Sequence, residues 1–147
     1  MKALLADSLV TSIPKYGYEV RYSKNDYLEN WLKWDSVFEP TYKVLEMELE
    51  NGIVKAKVSK TDKRIRFLMG KPFLTYEILK FKNNKIMSVK EEYLNFDELA
   101  WEKNKNGLLI WIEENHPELN LNRFIYDQTE SGGQKFLKAI ELYENEK

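Results

Sequence analysis

The alternation of apolar and polar residues is clearest between Tyr42 and Ser59. Leu45, Met47 and Leu49 alternate with Glu46 and Glu48, and after Asn51-Gly52 the residues Val54, Ala56 and Val58 alternate with Lys55 and Lys57. Period-two alternation around an Asn-Gly pair predicts a β-hairpin with a type I′ turn. If Asn51-Gly52 is the loop, Leu49 faces Val54, Met47 faces Ala56 and Leu45 faces Val58, while Glu48 meets Lys55 and Glu46 meets Lys57. One register thus satisfies both faces, and a one-residue slip would turn the whole apolar set outward. A second hairpin is predicted from Phe73 to Phe81 and Lys85 to Leu94, around Asn83-Asn84. Counting from that turn sets Phe81 opposite Ile86, Ile78 opposite Val89, Glu77 opposite Lys90, Tyr76 opposite Glu91 and Leu74 opposite Tyr93.

Helical spacing appears elsewhere. Leu4, Leu5, Leu9 and Val10 predict a short helix over residues 3–10, broken by Pro14 and Gly17. Tyr16 to Tyr22 alternates loosely, as a short strand does. Ser23 to about Phe38 predicts a helix with Ser23 as N-cap, Asp26 three residues on, and Tyr22 and Tyr27 placed for a hydrophobic staple. Tyr27, Leu28, Trp31, Trp34 and Phe38 share one side of it, as core or as the lining of a pocket, and Pro40 stops it. Arg64 to Lys82 reads as mainly extended, interrupted by Gly70 and Pro72. Asn95 is the predicted cap of the next helix, with Glu98 in its first turn and Leu94 and Leu99 as a staple, ending at Gly107. Leu108 to Glu114 predicts a helix, although periodicity alone does not separate it from a buried strand. Leu121 to Tyr126 is compatible with an extended segment. Residues 129–145 predict a last amphipathic helix carrying Phe136, Leu137, Ile140 and Tyr143. Consecutive hairpins imply a mainly antiparallel sheet, and the absence of a βαβ rhythm argues against a dinucleotide-binding fold.

Composition narrows the function classes. The 147 residues fit one domain, and with 43% hydrophobic and 32% charged residues the chain can build a core. A net charge of -1, from 23 basic and 24 acidic residues, leaves no basic patch for nucleic acid. With no Cys, the chain forms no disulfide and holds no zinc-thiolate or iron–sulfur site. A single histidine, His116, supplies no histidine-rich metal site. Gly132-Gly133 is too short for a phosphate-binding loop, and no cofactor is expected. No apolar run reaches the length of a membrane span, and Asp7 and Ser8 interrupt the start that a signal peptide would need. These features fit a cytoplasmic protein or an exported one whose signal has been removed.

Three stretches resemble the nuclear transport factor 2-like superfamily, which includes SnoaL-like polyketide cyclases and ketosteroid isomerases. Leu4-Leu5-Ala6-Asp7-Ser8-Leu9-Val10 is similar to the "LLADDV" segment that enters that family's first strand. Ser23-Lys24-Asn25-Asp26-Tyr27-Leu28 resembles the helix before its sheet. Phe81-Lys82-Asn83-Asn84-Lys85-Ile86 with Tyr93-Leu94-Asn95 resembles its "F-x-dGKI … Y-x-D" hairpin. The resemblance implies an α+β cone, a strongly curved antiparallel sheet wrapped around helices, over residues 4–95 of a single domain. A C-terminal helical extension would fill 96–147. Family members carry a long helical segment before the first of these motifs, so Met1 would be an internal residue of a longer protein.

The cone would be lined by Trp31, Trp34, Phe38, Tyr42, Tyr76 and Tyr93, which suits a small apolar or aromatic ligand. Family enzymes use Asp, Glu or His as the proton carrier. His116, before Pro117, reads as a helix-end residue rather than a base. Glu91 is the leading carboxylate: the counted register places it on one sheet face with Tyr76 and Tyr93, where burial would raise its pKa. Asp35, between Trp34 and Ser36, is the second. Thr129 and Ser131 read as N-cap residues rather than nucleophiles. The expectation is noncatalytic binding of a small apolar ligand, homodimerisation through the sheet, or both. The alternative is an isomerase, dehydratase or cyclase-type enzyme with an inward carboxylate. Neither a nucleic acid nor a membrane partner is expected.

Overall fold

The structure, a computed structural model, describes residues 2–147 as two compact units. The first takes in the chain up to Glu29, Tyr42–Lys60 and Phe73–Phe96; the second takes in Asn30–Thr41, Thr61–Pro72 and Asp97–Lys147. The strands are β1 (Leu5–Ile13), β2 (Tyr18–Ser23), β3 (Thr41–Glu50), β4 (Ile53–Thr61), β5 (Phe73–Lys82) and β6 (Lys85–Tyr93). They form one open six-stranded sheet in the order β2-β1-β6-β5-β4-β3. β1 runs antiparallel to β2 but parallel to β6, so the sheet is mixed. The helix expected over residues 3–10 is therefore wrong: β1 begins at Leu5, and only Lys2–Leu4 makes a 3₁₀ turn. The spacing that suggested a helix, Leu5 to Leu9, also keeps one face of a strand, because four residues are close to one helical turn of about 3.6 and equal two strand repeats. Pairing on both sides, with Leu5 and Leu9 buried, decides for the strand.

Both predicted hairpins form. Asn51 and Gly52 have φ of 51° and 76°, and Asn83 and Asn84 have 52° and 63°. These left-handed values are those a type I′ loop requires, and they favour Asn and Gly over residues with bulkier side chains. The second hairpin leaves its predicted register after the first two pairs. Lys82 meets Lys85 and Phe81 meets Ile86 as counted, but Lys80 then meets Ser88. Met87 is the extra residue of a β-bulge. Beyond it every pair moves by one: Leu79 faces Val89, Ile78 faces Lys90, Glu77 faces Glu91, Tyr76 faces Glu92 and Thr75 faces Tyr93.

A helical stretch links β2 to the second unit: α1 (Lys24–Asp26), a π turn over Tyr27–Trp31, and α2 (Leu32–Val37). The Ser23 side chain accepts the Asp26 N–H at 3.0 Å, as expected of its cap, and the Tyr22 and Tyr27 rings meet edge-on at 5.7 Å. The second unit adds α3 (Lys63–Met69), α4 (Glu98–Asn115), α5 (Leu121–Phe124) and α6 (Glu130–Glu146). Its core joins Trp34 and Phe38 to Leu68, Leu108, Ile112 and Leu121, with Phe136, Ala139 and Ile140 from α6. Among the described residues, no helix is long and apolar enough to cross a membrane.

Five expectations about the helices are corrected. The stretch from Arg64 is helical before it is extended. Asp62 caps α3, its Oδ1 accepting the Ile65 N–H at 2.6 Å, and Gly70 closes it at φ 73°. Asp97, not Asn95, caps α4, accepting the Ala100 N–H at 3.1 Å. Asn95 is engaged elsewhere, its Oδ1 accepting the Leu74 N–H at 2.8 Å, and Leu99 stays 86% exposed instead of forming a staple. α4 also continues through Gly107 to Asn115, and Leu121–Phe124 is helical rather than extended. Thr129 caps α6 as expected, accepting the Gly132 N–H at 3.2 Å.

The Asp62 cap gives a direct prediction. Asp62 is 1% exposed and holds the first turn of a helix that buries Ile65, Leu68 and Met69. Asp62→Ala is expected to cost about 1–2 kcal/mol, read as a lower urea midpoint at unchanged m-value. Asp62→Asn, which keeps a capping oxygen, should recover most of that loss.

Candidate functional site

The bulge at Met87 decides what the sheet can do chemically. On β6 the residues Val89, Glu91 and Tyr93 share a face, and their partners on β5 are Leu79, Glu77 and Thr75. β4 extends the same face, with Ala56 beside Glu77 and Val58 beside Thr75. Ala56, Val58 and Thr75 are all buried. The opposite face of β5 carries Leu74, Tyr76 and Ile78, with Lys57 beside Tyr76. Glu91, Tyr76 and Tyr93, expected on one face, are therefore divided between two, and Tyr76 lies across the sheet from Glu91. A single inserted residue causes this, because side chains alternate sides at every position.

What the bulge brings together is a pair of carboxyl groups. Directly opposed residues on antiparallel strands have Cβ atoms about 4.5–5.5 Å apart, so Glu77 and Glu91 face each other at close range. Burial among apolar neighbours pushes the Glu91 carboxyl up to about 7, the charge of Glu77 adds to the rise, and Lys60 offsets part of it. Burial raises Glu77 as well, again offset by Lys60. Near neutral pH such a pair holds a proton that it can donate in a hydrogen bond or pass on.

The other candidate residues fall in different places. Tyr93 is on the Glu91 face, its ring 4.8 Å from Phe73 and 5.5 Å from both Tyr16 and Phe96. Tyr76 lies under the Lys55 ammonium at 4.5 Å, on the other face. Tyr42 is half-exposed on β3, with Lys60 Nζ 5.1 Å from its ring centre. Trp34 and Phe38 belong to the core of the second unit, their rings 5.5 Å apart, and Trp31 packs against that core. Asp35 is 2% exposed within α2. The Gly132 N–H, whose hydrogen bond the Thr129 hydroxyl accepts, accounts for the role of Thr129. His116 ends α4, and its ring nitrogens meet Glu146 at 3.0 Å and Glu118 at 3.3 Å. Among the described residues, no three His, Asp or Glu side chains are arranged to hold a metal ion.

Glu77 is the residue that the sequence analysis missed. β5 carries apolar residues on both faces, Leu74, Tyr76 and Ile78 on one and Phe73 and Leu79 on the other, so its pattern tolerates either register. Only an explicit test of one-residue bulges would have set Glu77 against Glu91.

No family model matches the sequence, and no curated protein matches it. Two solved structures are similar to it in fold. A candidate ketosteroid isomerase from Kribbella flavida DSM 17836 is 14% identical at a TM-score of 0.50, over 66% of this chain and 65% of that one. The chain thus spans just under two thirds of that protein's length. A nuclear transport factor 2-like protein of unknown function from Burkholderia xenovorans LB400 is 16% identical at a TM-score of 0.50, over 69% of this chain and 74% of that one. The chain has the nuclear transport factor 2-like α+β fold.

Proposed function

We propose that the chain binds a small, largely apolar molecule on the Glu77–Glu91 face of its sheet, with Glu91 as the polar anchor. One observation carries this reading: the Glu91 carboxyl, raised to about 7 mainly by burial, lies between Val89 and Tyr93 on one face of β6 and directly opposite Glu77, which Ala56 flanks on β4. A neutral carboxylic acid in an apolar setting donates a directional hydrogen bond to a carbonyl or hydroxyl, while the surrounding side chains bury the rest of the ligand.

Native mass spectrometry of the protein as purified tests the reading. A mass excess that disappears on denaturation is expected for the wild type and is expected to be lost in Glu91→Leu, which removes the donor. Retention of the same excess by Glu91→Leu would remove Glu91 as the anchor.

The same pKa supports a second reading, proton transfer. A general base works best when its pKa lies near the operating pH, and Glu91 meets that condition. The fold neighbour described as a candidate ketosteroid isomerase makes a ketosteroid the first substrate to try. Under this reading turnover falls at least 100-fold in Glu91→Gln and is unchanged in Tyr76→Phe, since Tyr76 lies on the other face.

A further inference from the structure

β3 is an edge strand: among the described residues it has a neighbouring strand, β4, on one side only. It is exposed along its whole length, with Leu45, Met47 and Leu49 showing 51%, 64% and 73% of their surface. Long apolar edge strands invite pairing with another chain, and proteins that avoid it place Lys or Pro there. β3 has no Pro and only Lys43, and its other charges, Glu46, Glu48 and Glu50, alternate with Leu45, Met47 and Leu49.

Its two faces differ in chemistry. Glu46 and Glu48 share a shallow depression with Lys55, Lys57 and Tyr76, which places the glutamates on the Tyr76 face of the sheet. Alternation puts Leu45, Met47 and Leu49 on the other face. The strand that already pairs with β3 shows what it accepts: Val54-Lys55-Ala56-Lys57-Val58 sets lysines on the glutamate face and apolar residues on the other.

We propose that the free edge of β3 accepts an extended segment of a partner protein in which Lys or Arg alternates with apolar residues, adding a seventh strand to the sheet. Main-chain hydrogen bonds along the edge supply affinity, and the alternating side chains supply the choice of partner. Charge argues against a second copy of the chain as the occupant. Two copies of β3 related by a two-fold axis pair antiparallel and keep each residue on its own face. Pairings centred on Glu46, Met47 or Glu48 set Glu46 or Glu48 against Glu46 or Glu48 of the other copy, and like charges directly opposed are destabilising. The pairing centred on Leu45 sets Glu46 against Val44 and Glu48 against Tyr42 and gives the glutamates no opposite charge. A segment with lysines at those positions meets the glutamates with opposite charge. This inference does not rest on the Glu91 ligand reading.

Two labelled nonapeptides test it by fluorescence anisotropy with the full chain. One copies Ile53–Thr61, and the other has its three lysines replaced by glutamate. The lysine peptide is expected to bind at least tenfold more tightly than the glutamate peptide and to weaken as salt is raised. Met47→Lys, which adds an edge lysine at an exposed position, is expected to cut that binding at least tenfold with no change in thermal midpoint. Leu99→Lys, on exposed α4 surface, should leave it intact. Equal affinity for the two peptides overturns the proposal, as does undiminished binding by Met47→Lys. A stable dimer of the chain that protects the amides of residues 43–49 from hydrogen exchange overturns it too.

Discussion

Phe38→Ala is expected to lower the stability of the protein by about 3–5 kcal/mol. Phe38 is completely buried, its ring edge-on to Trp34 at 5.5 Å and to Phe136 at 5.7 Å. Removing the ring forfeits its transfer free energy and leaves a hole bounded by large rings that close in only partly. The backbone adds to the rigidity of the site, because the Phe38 carbonyl accepts the Lys63 N–H at 3.0 Å at the start of α3. Gly133, whose Cβ position lies 3.1 Å from Trp34 Cδ1, confines the neighbouring indole from the α6 side. A loss of this size is a large share of the total stability of about 5–15 kcal/mol of a typical domain, and it should lower the thermal midpoint by about 10 °C. The measurement is favourable, since Trp31, Trp34, Trp101 and Trp111 all lie in the second unit and their fluorescence follows its unfolding. Leu99→Ala, at a position 86% exposed, should shift the same curve by less than about 0.5 kcal/mol. A Phe38→Ala midpoint within that range would contradict the core as described.

Glu91→Gln is expected to make the protein more stable at pH 8 and no more stable at pH 4. The folded Glu91 carboxyl has its pKa raised to about 7, whereas an unfolded glutamate titrates at about 4.3. The folded state therefore binds this proton more tightly than the unfolded chain. The stabilisation is fully present below the unfolded pKa and is lost as pH rises through about 7. At about 1.4 kcal/mol for each tenfold change in proton affinity, the ceiling is about 4 kcal/mol, and partial solvent access brings the expected gain nearer 2. Glutamine keeps the shape without the charge, so it removes the penalty of a carboxylate facing Glu77. Glu77→Gln should act in the same direction and also lower the Glu91 pKa by removing the opposed charge. His116, held up by Glu146 and Glu118, gives a slope of the same sign. The difference between wild type and variant across pH 4–8 therefore reads Glu91, and the raw slope does not. Urea unfolding at each pH supplies it. Parallel pH profiles for the two proteins would mean that Glu91 is not the buried acid described above.

Much of the fold is legible in local chemistry. The Asn51-Gly52 and Asn83-Asn84 turns, the Ser23 and Thr129 caps and the Tyr22–Tyr27 contact all form where the residues predict them. Each is settled within two to five residues, by backbone sterics or by one side chain reaching a nearby N–H. The α3 helix is equally local, set by Asp62, the Ile65–Leu68–Met69 spacing and Gly70, but it is only seven residues long and lies between two strands. Asn95 and Asp97 are both good caps, and what separates them is a contact 21 residues away, the Leu74 N–H that engages Asn95.

The candidate site was less legible. Glu91 could be singled out as a carboxylate in an apolar strand, but the identity of its partner depended on the count across the hairpin. Sequence by itself determined that two hairpins form, where they turn, and that β3 and β4 carry opposite charges on one face and apolar residues on the other. Those are properties of neighbouring residues and of an alternation fixed by the geometry of a strand. Tertiary structure decided that Leu5–Ile13 is a strand lying parallel to β6, that Met87 bulges, and that Glu77 consequently opposes Glu91. Parallel pairing joins segments about 80 residues apart, and a bulge moves one residue without altering the composition of either strand. Neither leaves a local trace, because both are chosen by how whole faces pack.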